Sequence, residues 1–250
     1  MGIGKAIADD FAARGENLVL VARSRTRLEE LAASLVREFG IDVRVCSEDL
    51  AEPDAPGRVF EFCGKHGLVI DRLVNCAGFS VTGSFVRLPR TELHQMAMVN
   101  MVALADMTRL FLPAMIEHGR GTVVNIASLA AFQGVPGMAL YSATKSFVVT
   151  LTEAIDAEAR GSGVRVFAVC PGFIDNDQFY NRAGHDRKRI LAPISDPVVV
   201  IRALRRGLAS SAVVVMPTLF DRLMVFGQRV LPRRPVVMLA GFMTGAKEKI

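Results

Sequence analysis

Apolar residues along this chain follow two alternating patterns. Six short runs are almost continuously apolar, and between them apolar residues recur every three or four positions. The short runs are typical of strands buried in a parallel sheet, and the longer pattern is typical of amphipathic helices. The predicted strands lie at residues 17–23, 43–49, 72–78, 122–128, 164–171 and 212–217. The predicted helices that follow them lie at residues 26–39, 54–66, 89–118, 141–160 and 197–210.

The order of these elements predicts the fold. Strand and helix alternate throughout, without repeats or low-complexity tracts, and 51% of the 250 residues are hydrophobic. Such alternation predicts an α/β protein with a Rossmann-type, doubly wound parallel sheet, in three layers with helices on both faces. We expect a single domain over residues 1–250, with residues 218–250 as a C-terminal extension. Ligands bind at the carboxyl ends of the strands in such sheets.

The beginning of the chain departs from this order. The first four residues run directly into a predicted helix at residues 5–14, with no strand before it. A Rossmann unit has its first strand at the centre of the sheet, so the strands at 17–23 and 72–78 should face a gap. Each buried backbone group left unpaired there costs about 1–3 kcal/mol. We therefore expect that the chain is cut short, or that another segment or chain fills the gap.

Charge and cysteine content narrow the class of ligand. The net charge is +5 and the basic residues are scattered, which favours a phosphorylated small molecule over nucleic acid as a partner. The four cysteines lack the spacing of metal ligands, so we expect reduced thiols and no metal. The longest uncharged run, residues 121–144, contains polar residues unsuited to lipid and is interpreted as a strand, a loop and a helix start. Because no signal peptide is visible, the sequence predicts a cytoplasmic protein.

The strongest chemical signal is the pair Tyr141 and Lys145. Residues four apart lie on one face of a helix, so the Lys145 ammonium is expected near the Tyr141 phenol. A free tyrosine has a pKa of about 10. A neighbouring cation lowers that pKa and makes the phenol a better acid–base catalyst near neutral pH. Taken alone, the spacing also fits a surface helix with an unrelated tyrosine.

Two strand ends add small or polar residues to this pair. Ser128 closes the strand at 122–128, where its hydroxyl would point into the ligand crevice. Asn75, Ala77 and Gly78 close another strand, and small residues there let a cofactor approach the backbone. Taken singly, a strand-end serine and a tight turn explain these features as well.

Together these residues resemble the classical short-chain dehydrogenase/reductase family over most of the chain, from Gly2 to about residue 217. The end of the family's Thr-Gly-x-x-x-Gly-x-Gly motif matches here, and its Asn-Asn-Ala-Gly motif matches residues 75–78. The glycine-rich match consists of Gly2, Ile3 and Gly4, the catalytic match of Asn100, Ser128, Tyr141 and Lys145, and a later Pro-Gly pair of Pro171 and Gly172.

The resemblance implies an oxidoreductase that interconverts a ketone and a secondary alcohol. Tyr141 would donate a proton to the carbonyl oxygen, and Ser128 would hydrogen-bond the same oxygen. Lys145 would lower the tyrosine pKa and bind the nicotinamide ribose, and Asn100 would hold a water that links Lys145 to solvent. The cofactor supplies the redox chemistry, and the protein supplies orientation and electrostatics.

The choice of cofactor depends on the residues after the strand at 17–23. An acidic residue there binds the ribose of NAD, whereas arginine can pair with the 2′-phosphate of NADP. Arg23 and Ser24 therefore favour NADP (NADPH), although a solvated strand-end arginine would look the same. Asn176 stands where the family often has a threonine that contacts the nicotinamide carboxamide. The glycine-rich motif is shortened, so part of the family's pyrophosphate site is missing from this sequence. Further cofactor contacts implied by the family are Asp49, Leu50, Asn75, Ala77, Gly78, Tyr141, Lys145, Pro171, Gly172 and Ile174.

Residues 218–250 continue beyond the point where many family members end. Leu219, Leu223, Phe226 and Val230 recur at helical spacing, and the extension resembles the branch of 17β-hydroxysteroid and 3-ketoacyl reductases. It fits a helix packed on the body, a subunit contact, a lid over an apolar pocket, or a helix resting on a membrane. By analogy with that branch, we expect a lipophilic ketone or alcohol as substrate.

Two other functions fit parts of the sequence. A catalytically silent NADP-binding sensor or scaffold fits the shortened glycine motif but not the complete catalytic set. A serine hydrolase centred on Ser128 lacks the Gly-x-Ser-x-Gly turn and a recognisable triad histidine. Because the family pairs its long helices across a two-fold axis, we also expect a homodimer or homotetramer.

Overall fold

Strands and helices alternate as the hydrophobic pattern predicts. The structure, a computed structural model, describes residues 2–245. A π-helical turn at Met98–Val102 joins α4 to α5, and short 3-10 helices lie at Leu129–Phe132 and Arg187–Arg189. The chain order is α1 (Ile3–Ala12), β1 (Leu18–Ala22), α2 (Arg25–Phe39), β2 (Val43–Ser47), α3 (Ala55–Lys65), β3 (Arg72–Asn75), α4 (Arg90–Ala97), α5 (Ala103–Glu117), β4 (Gly121–Ile126), α6 (Ala139–Glu158), β5 (Val164–Val169), β6 (Phe173–Ile174), α7 (Asp177–Ala183), β7 (Ile194–Ser195), α8 (Val198–Ala209), β8 (Val214–Val215), α9 (Leu219–Val230) and α10 (Arg233–Thr244).

The main parallel sheet is divided between β1 and β3. β1 pairs with β2, while β3, β4, β5 and β8 form a four-stranded sheet in that order. Within residues 2–245 no strand pairs with both β1 and β3, so the gap expected from the absent first strand is confirmed. The Arg72 guanidinium at the start of β3 pairs with the Glu16 carboxylate and lies 4.8 Å from the Phe11 ring centroid of α1. These contacts connect β3 to the segment that precedes β1.

Helices cover both faces of the sheet, which confirms the three-layer arrangement. Neighbouring residues of β4 point to opposite faces because side chains alternate along a strand. Val124 packs in a cluster with Phe11 of α1 and Leu204 of α8, whereas Val123 packs with Val59 of α3 and Phe111 of α5. α6 covers the carboxyl-terminal parts of β4 and β5 on the Val123 side. The doubly wound fold therefore brings the ends of β3, β4 and β5 together with the start of α6.

Three parts of the secondary structure differ from the sequence prediction. The helix expected at 89–118 is divided by the π-helical turn, and the strand expected at 212–217 shrinks to two residues. β6, α7 and β7 were not predicted, because strands of two residues and a helix of seven carry little periodic signal. The uncharged run 121–144 forms β4, a short helix and the start of α6, as expected.

Two helices make up the described part of the C-terminal extension. The helical spacing predicted from Leu219, Leu223, Phe226 and Val230 is confirmed in α9, but all four side chains are exposed instead of being packed on the body. Elsewhere in residues 2–245, the stretch Arg90–Glu117 is long and apolar enough to cross a membrane by length and composition, a test that core helices of soluble proteins also pass.

Candidate active site

The four predicted catalytic residues meet at the carboxyl end of the four-stranded sheet. Ser128 follows β4, Tyr141 and Lys145 lie on α6, and Asn100 lies in the π-helical turn. The Ser128 side chain lies near enough to the Tyr141 phenol to lower its pKa. The Lys145 ammonium lies 5.8 Å from the centroid of the Tyr141 ring. The phenol is therefore placed between a hydroxyl and a cation, as the spacing of the two α6 residues predicted.

Ser128 is held in place by the loop that follows β5. Its hydroxyl donates to the Pro171 carbonyl at 3.4 Å and accepts the Ala130 N–H at 3.1 Å. The Ala130 contact makes Ser128 the N-cap of the short helix Leu129–Phe132. The serine thus has a structural role in addition to its contact with Tyr141.

Asn100 is fully buried, and its side chain makes three hydrogen bonds to neighbouring protein groups. Its carbonyl oxygen accepts the Phe79 N–H at 3.1 Å, and its amide donates to the Phe79 carbonyl at 3.0 Å and to the Thr144 hydroxyl at 3.1 Å. The π-helical turn aims this side chain toward the loop after β3, and π-turns often occur at functional sites. Asn100 therefore fixes that loop against α6.

The pKa of Tyr141 moves in the opposite direction from the sequence expectation. Burial raises the pKa to about 12, and the Ser128 hydroxyl lowers it only in part. The expected lowering by Lys145 does not prevail, because the desolvation of a buried phenolate is the larger effect. Tyr141 is consequently a protonated phenol at neutral pH, which is the form that can donate a proton.

Lys145 is a buried cation. Its ammonium donates to the Ile126 carbonyl at 2.8 Å, and burial lowers its pKa to about 8. The ionisable neighbours that act on it are the thiols of Cys76 and Cys170, and burial raises their pKa values to about 11 and about 12. Both thiols are therefore neutral near pH 7 and do not balance the charge of Lys145.

The close approach of Gly78 to this cluster requires a residue without a side chain. A Cβ at Gly78 would lie 3.1 Å from the Asn100 carbonyl oxygen and 3.5 Å from the Lys145 ammonium. Asn75, three residues earlier, donates to Asn125 at 2.9 Å and to Thr108 at 3.1 Å. Its side chain thus ties β3 to β4 and α5. A ligand beside residues 75–78, which include Ala77, would therefore contact their backbone.

Gly2, Ile3 and Gly4 lie at the N-terminal end of α1, whose first N–H groups lack helical partners. A Cβ at Gly2 would collide with the side-chain amide of Asn176, so a larger residue there would have to displace that side chain. Gly4 lies beside Cys76 at the end of β3, with 3.6 Å between a Cβ built there and the sulfur. The glycines thus permit the close approach of α1 to two segments of the expected cofactor site.

Arg23, Ser24 and Asp49 meet at the carboxyl ends of β1 and β2. The Arg23 guanidinium lies 3.9 Å from the Asp49 carboxylate, and the two side chains are 69% and 42% exposed. An exposed pair at this distance contributes little, so Arg23 is available to an anionic ligand. Ser24 is the N-cap residue of α2, yet its hydroxyl makes no capping hydrogen bond. Leu50, next to Asp49, is half-buried at the same edge.

The segment after β5 carries the last predicted cofactor contacts. The Pro171 carbonyl accepts the Leu129 N–H at 2.8 Å, which ties this segment to the loop that carries Ser128. Ile174 is buried in the cluster that includes Ile7 and Val200, so its side chain belongs to the core. Only the backbone of Ile174 is therefore placed to contact a ligand.

Sequence reasoning missed two buried residues that hold this segment. The Asp221 carboxylate of α9 accepts the backbone N–H groups of Gly172 and Thr218, and burial raises its pKa. The Tyr180 hydroxyl of α7 donates to the Ile174 carbonyl at 3.0 Å. A Thr-x-x-Asp capping box could have indicated the start of α9, but its contact with Gly172 depends on the tertiary fold.

An apolar cavity adjoins the four-residue cluster. It lies between α9 and α10 and is lined by Leu129, which follows Ser128, and by Phe173 after β5. The C-terminal extension supplies most of the remaining wall, including Leu223, Met224, Leu239 and Met243. The extension therefore forms part of a pocket, as one of its predicted roles required.

The sequence profile of the short chain dehydrogenase family matches residues 1–186. The chain belongs to this family. The predicted family, its Rossmann-type fold and the class of NAD(P)-dependent oxidoreductase are thereby confirmed. A short-chain dehydrogenase from Sphingobium yanoikuyae, solved in complex with NADPH, is 32% identical with a TM-score of 0.81, over 92% of this chain and 91% of that chain.

Other family members are similar in sequence or structure. A very-long-chain 3-oxoacyl-CoA reductase from Anas platyrhynchos is 34% identical over 178 residues, which are 69% of this chain and 56% of the relative. This chain thus spans little more than half the length of the curated relatives it matches. A bulky-bulky ketone specific alcohol dehydrogenase from Comamonas testosteroni is 28% identical with a TM-score of 0.77, over 95% of this chain and 90% of that chain.

The prediction of a cytoplasmic protein is wrong. It rested on the absence of a visible signal peptide, which says nothing about other ways of reaching a membrane. The similarity to very-long-chain 3-oxoacyl-CoA reductases, which are membrane-associated, overturns it.

Proposed function

We propose that this short-chain dehydrogenase uses NADP(H) to interconvert a lipophilic ketone and a secondary alcohol, with Tyr141 as the proton donor in reduction. The observation that carries the proposal is the placement of the buried Tyr141 phenol near Ser128, with the Lys145 ammonium 5.8 Å from the centroid of its ring. Similar dehydrogenases have been solved with NADPH or 5-hydroxy-NADP bound, which supports the choice of cofactor.

The residues at the sheet edge fit a dinucleotide with a 2′-phosphate. At the end of β1, Arg23 offers a weakly paired guanidinium, and Ser24 offers a hydroxyl that makes no capping hydrogen bond to α2. Gly2 and Gly4 expose the N-terminal end of α1, where backbone N–H groups favour a pyrophosphate. Near the cluster, Gly78 leaves room beside Lys145, whose ammonium would contact the nicotinamide ribose. When bound, the cofactor supplies a hydride for the substrate carbonyl carbon.

The protein's own part in the reaction is to orient the carbonyl and deliver a proton. Ser128 hydrogen-bonds the carbonyl oxygen, and Tyr141 donates its phenolic proton to the oxygen as negative charge develops there. The Lys145 cation stabilises the phenolate that results, because opposite charges attract strongly at a site with little water. Asn100 positions this cation through the loop after β3, next to Gly78.

The proposed substrate follows from the apolar cavity beside Leu129. Its lining is dominated by leucine, methionine and phenylalanine side chains, which favour a hydrocarbon chain or ring. Two similar proteins are consistent with this choice. One is a reductase of very-long-chain 3-oxoacyl-CoA, and the other is an alcohol dehydrogenase specific for bulky-bulky ketones. A hydrolytic role for Ser128 has no support, because among the described residues its hydroxyl bonds to the backbone of Pro171 and Ala130 and not to a histidine.

The test measures NADPH consumption with a panel of lipophilic ketones. The Tyr141→Phe variant should lose at least about a hundredfold in turnover while it still binds NADPH, because only the transferable proton is removed. The comparison variant is Tyr180→Phe, which removes the hydroxyl of the other tyrosine and its bond to the Ile174 carbonyl and should lose much less turnover, because no transferable proton is removed from the site. Binding of NADPH without turnover of any ketone would favour the silent sensor instead, and no binding would refute the proposal. The predicted homo-oligomer remains a separate prediction, tested by analytical ultracentrifugation.

A further inference from the structure

α9 presents its apolar side to solvent. Leu219, Leu223, Phe226 and Val230 are between 61% and 72% exposed. With about 100° of rotation per residue, these four side chains fall within an arc of roughly 60°. Continuous apolar surface of this kind marks an interaction site in soluble proteins. We call this set, together with Met238, Leu239 and Phe242 of α10, the outer apolar face.

The side of α9 that packs on the body carries both apolar and polar residues. Val225 packs against the core and Met224 lines the cavity. Asp221 and Gln228 also face the body: Asp221 is 4% exposed and bonds to the backbone after β5, and the Gln228 amide donates to the side-chain amide oxygen of Gln133 at 2.6 Å. Both residues lie opposite the outer apolar face on the helix. A helix on a water-soluble surface normally has its apolar residues toward the core only, whereas α9 has a second apolar stripe that faces outward. The outward stripe of α9 therefore suits an apolar medium instead of water.

α10 continues the same surface. Its Val236, Ala240 and Thr244 are buried against the body, while Met238 and Phe242 are 74% and 63% exposed. Leu191, itself 60% exposed, adjoins α10 through its N–H bond to the Met243 carbonyl. The outer apolar face thus extends over two helices and a neighbouring loop.

Basic side chains accompany the outer apolar face. Arg222 and Arg229 lie roughly 70–90° to one side of the α9 stripe, and Arg233 and Arg234 begin α10. All four are exposed, whereas the only carboxylate between residues 218 and 245, Asp221, is buried. An apolar stripe flanked by arginines is the pattern of helices that lie in the interface of an anionic membrane.

We propose that the outer apolar face docks on the surface of a bilayer that contains anionic lipids, with α9 and α10 lying in the headgroup region. The arginines favour this occupant over a second copy of the chain. In a two-fold contact through this face, eight arginines would be gathered beside an apolar interface with no exposed carboxylate among residues 218–245 of either chain to balance them, whereas lipid phosphates neutralise them.

Docking in this orientation would also bring the lipid to the substrate cavity. Leu223 and Leu239 belong to the outer apolar face and also line the cavity, as does Leu129, the residue after Ser128. A lipophilic ketone could thus pass from the bilayer to the site without crossing water. This consequence rests on the proposed function, whereas docking itself does not.

The experiment is flotation of the full chain with vesicles of phosphatidylcholine alone or mixed with phosphatidylglycerol. The wild type should float with the mixed vesicles, and the Phe226→Gln/Val230→Gln variant should bind them about tenfold or more weakly, because two anchoring side chains are lost. The matched control is Val69→Gln, which changes a valine that is 66% exposed on another surface, and it should float like the wild type. Phe226 and Val230 lie outside the cavity, so NADPH binding and turnover of a water-soluble ketone report that each variant is folded.

Three results would overturn the proposal. They are failure of the wild type to float with the mixed vesicles, equal flotation of the double variant, and a wild-type dimer that the double variant abolishes without any lipid binding. At low salt, the Arg222→Gln/Arg229→Gln variant should float less than the wild type. At high salt, where charges are screened, the wild type should float as weakly as the variant, and this result would support the part assigned to charge. Loss of ketone turnover in all variants with flotation unchanged would refute the proposed function and leave docking intact.

Discussion

Replacing Lys145 with methionine should stabilise the fold while abolishing the proposed reaction. The Lys145 ammonium is 5% exposed, and burial lowers its pKa from the usual 10.5 to about 8. Its described contacts are a backbone carbonyl, the face of Tyr141 and two neutral thiols. A buried cation without a carboxylate is costly to the folded state, and functional residues often carry such a cost.

The size of this cost follows from the displaced pKa. A shift of about 2.5 pKa units at about 1.36 kcal/mol per unit is about 3 kcal/mol of destabilisation at pH 7. Methionine has a similar length, but it loses the hydrogen bond to the Ile126 carbonyl, which is worth about 1 kcal/mol. We therefore expect the Lys145→Met variant to be more stable than the wild type by about 2 kcal/mol at pH 7.

The stability difference between the Lys145→Met variant and the wild type should depend on pH in a defined direction. At pH 7 the lysine is protonated in both the folded and the unfolded states, so the full penalty applies. Between pH 8 and 10.5 the folded protein releases its proton first, and the penalty disappears progressively. By pH 9.5 more than half of it should be lost, so the advantage of the methionine variant should shrink nearly to zero.

The assay is urea unfolding of the wild type and the variant at pH 7 and pH 9.5. The control is Lys65→Met, because this lysine is 75% exposed and should change stability little at either pH. An advantage of Lys145→Met that is equal or larger at pH 9.5 would refute the reasoning. Loss of the variant's folded state at pH 7 would refute it as well.

Three further predictions concern packing, catalysis and cofactor choice. Gly207→Ala should lower the free energy of unfolding by about 1–3 kcal/mol in urea titrations, because its Cβ would collide with the Phe167 ring; an unchanged midpoint would contradict the packing. Since the Tyr141 pKa is about 12 and alcohol oxidation needs the phenolate, the oxidation rate should rise up to about tenfold per pH unit from pH 7 toward 10, whereas ketone reduction should not. An oxidation rate that peaks near neutral pH would speak against this. Arg23→Glu should raise the KM for NADPH about tenfold or more and leave the KM for NADH nearly unchanged, and equal effects on both would remove Arg23 from the 2′-phosphate site.

Local sequence determined most of the elements and the identity of the central cluster. Tyr141 and Lys145 had to share a helix face because they are four residues apart, and Ser128 had to lie just beyond a strand because the apolar run stops there. Each of these conclusions depends on periodicity or adjacency, which are properties of neighbouring residues.

The tertiary structure decided how these residues behave. Spacing places a cation near Tyr141, but only the fold shows that burial outweighs that cation and raises the pKa to about 12. Helical spacing predicts the apolar stripe of α9, but not that Asp221 and Gln228 turn the opposite side toward the body. Burial and direction depend on contacts between segments far apart in the chain, and a local pattern does not contain them.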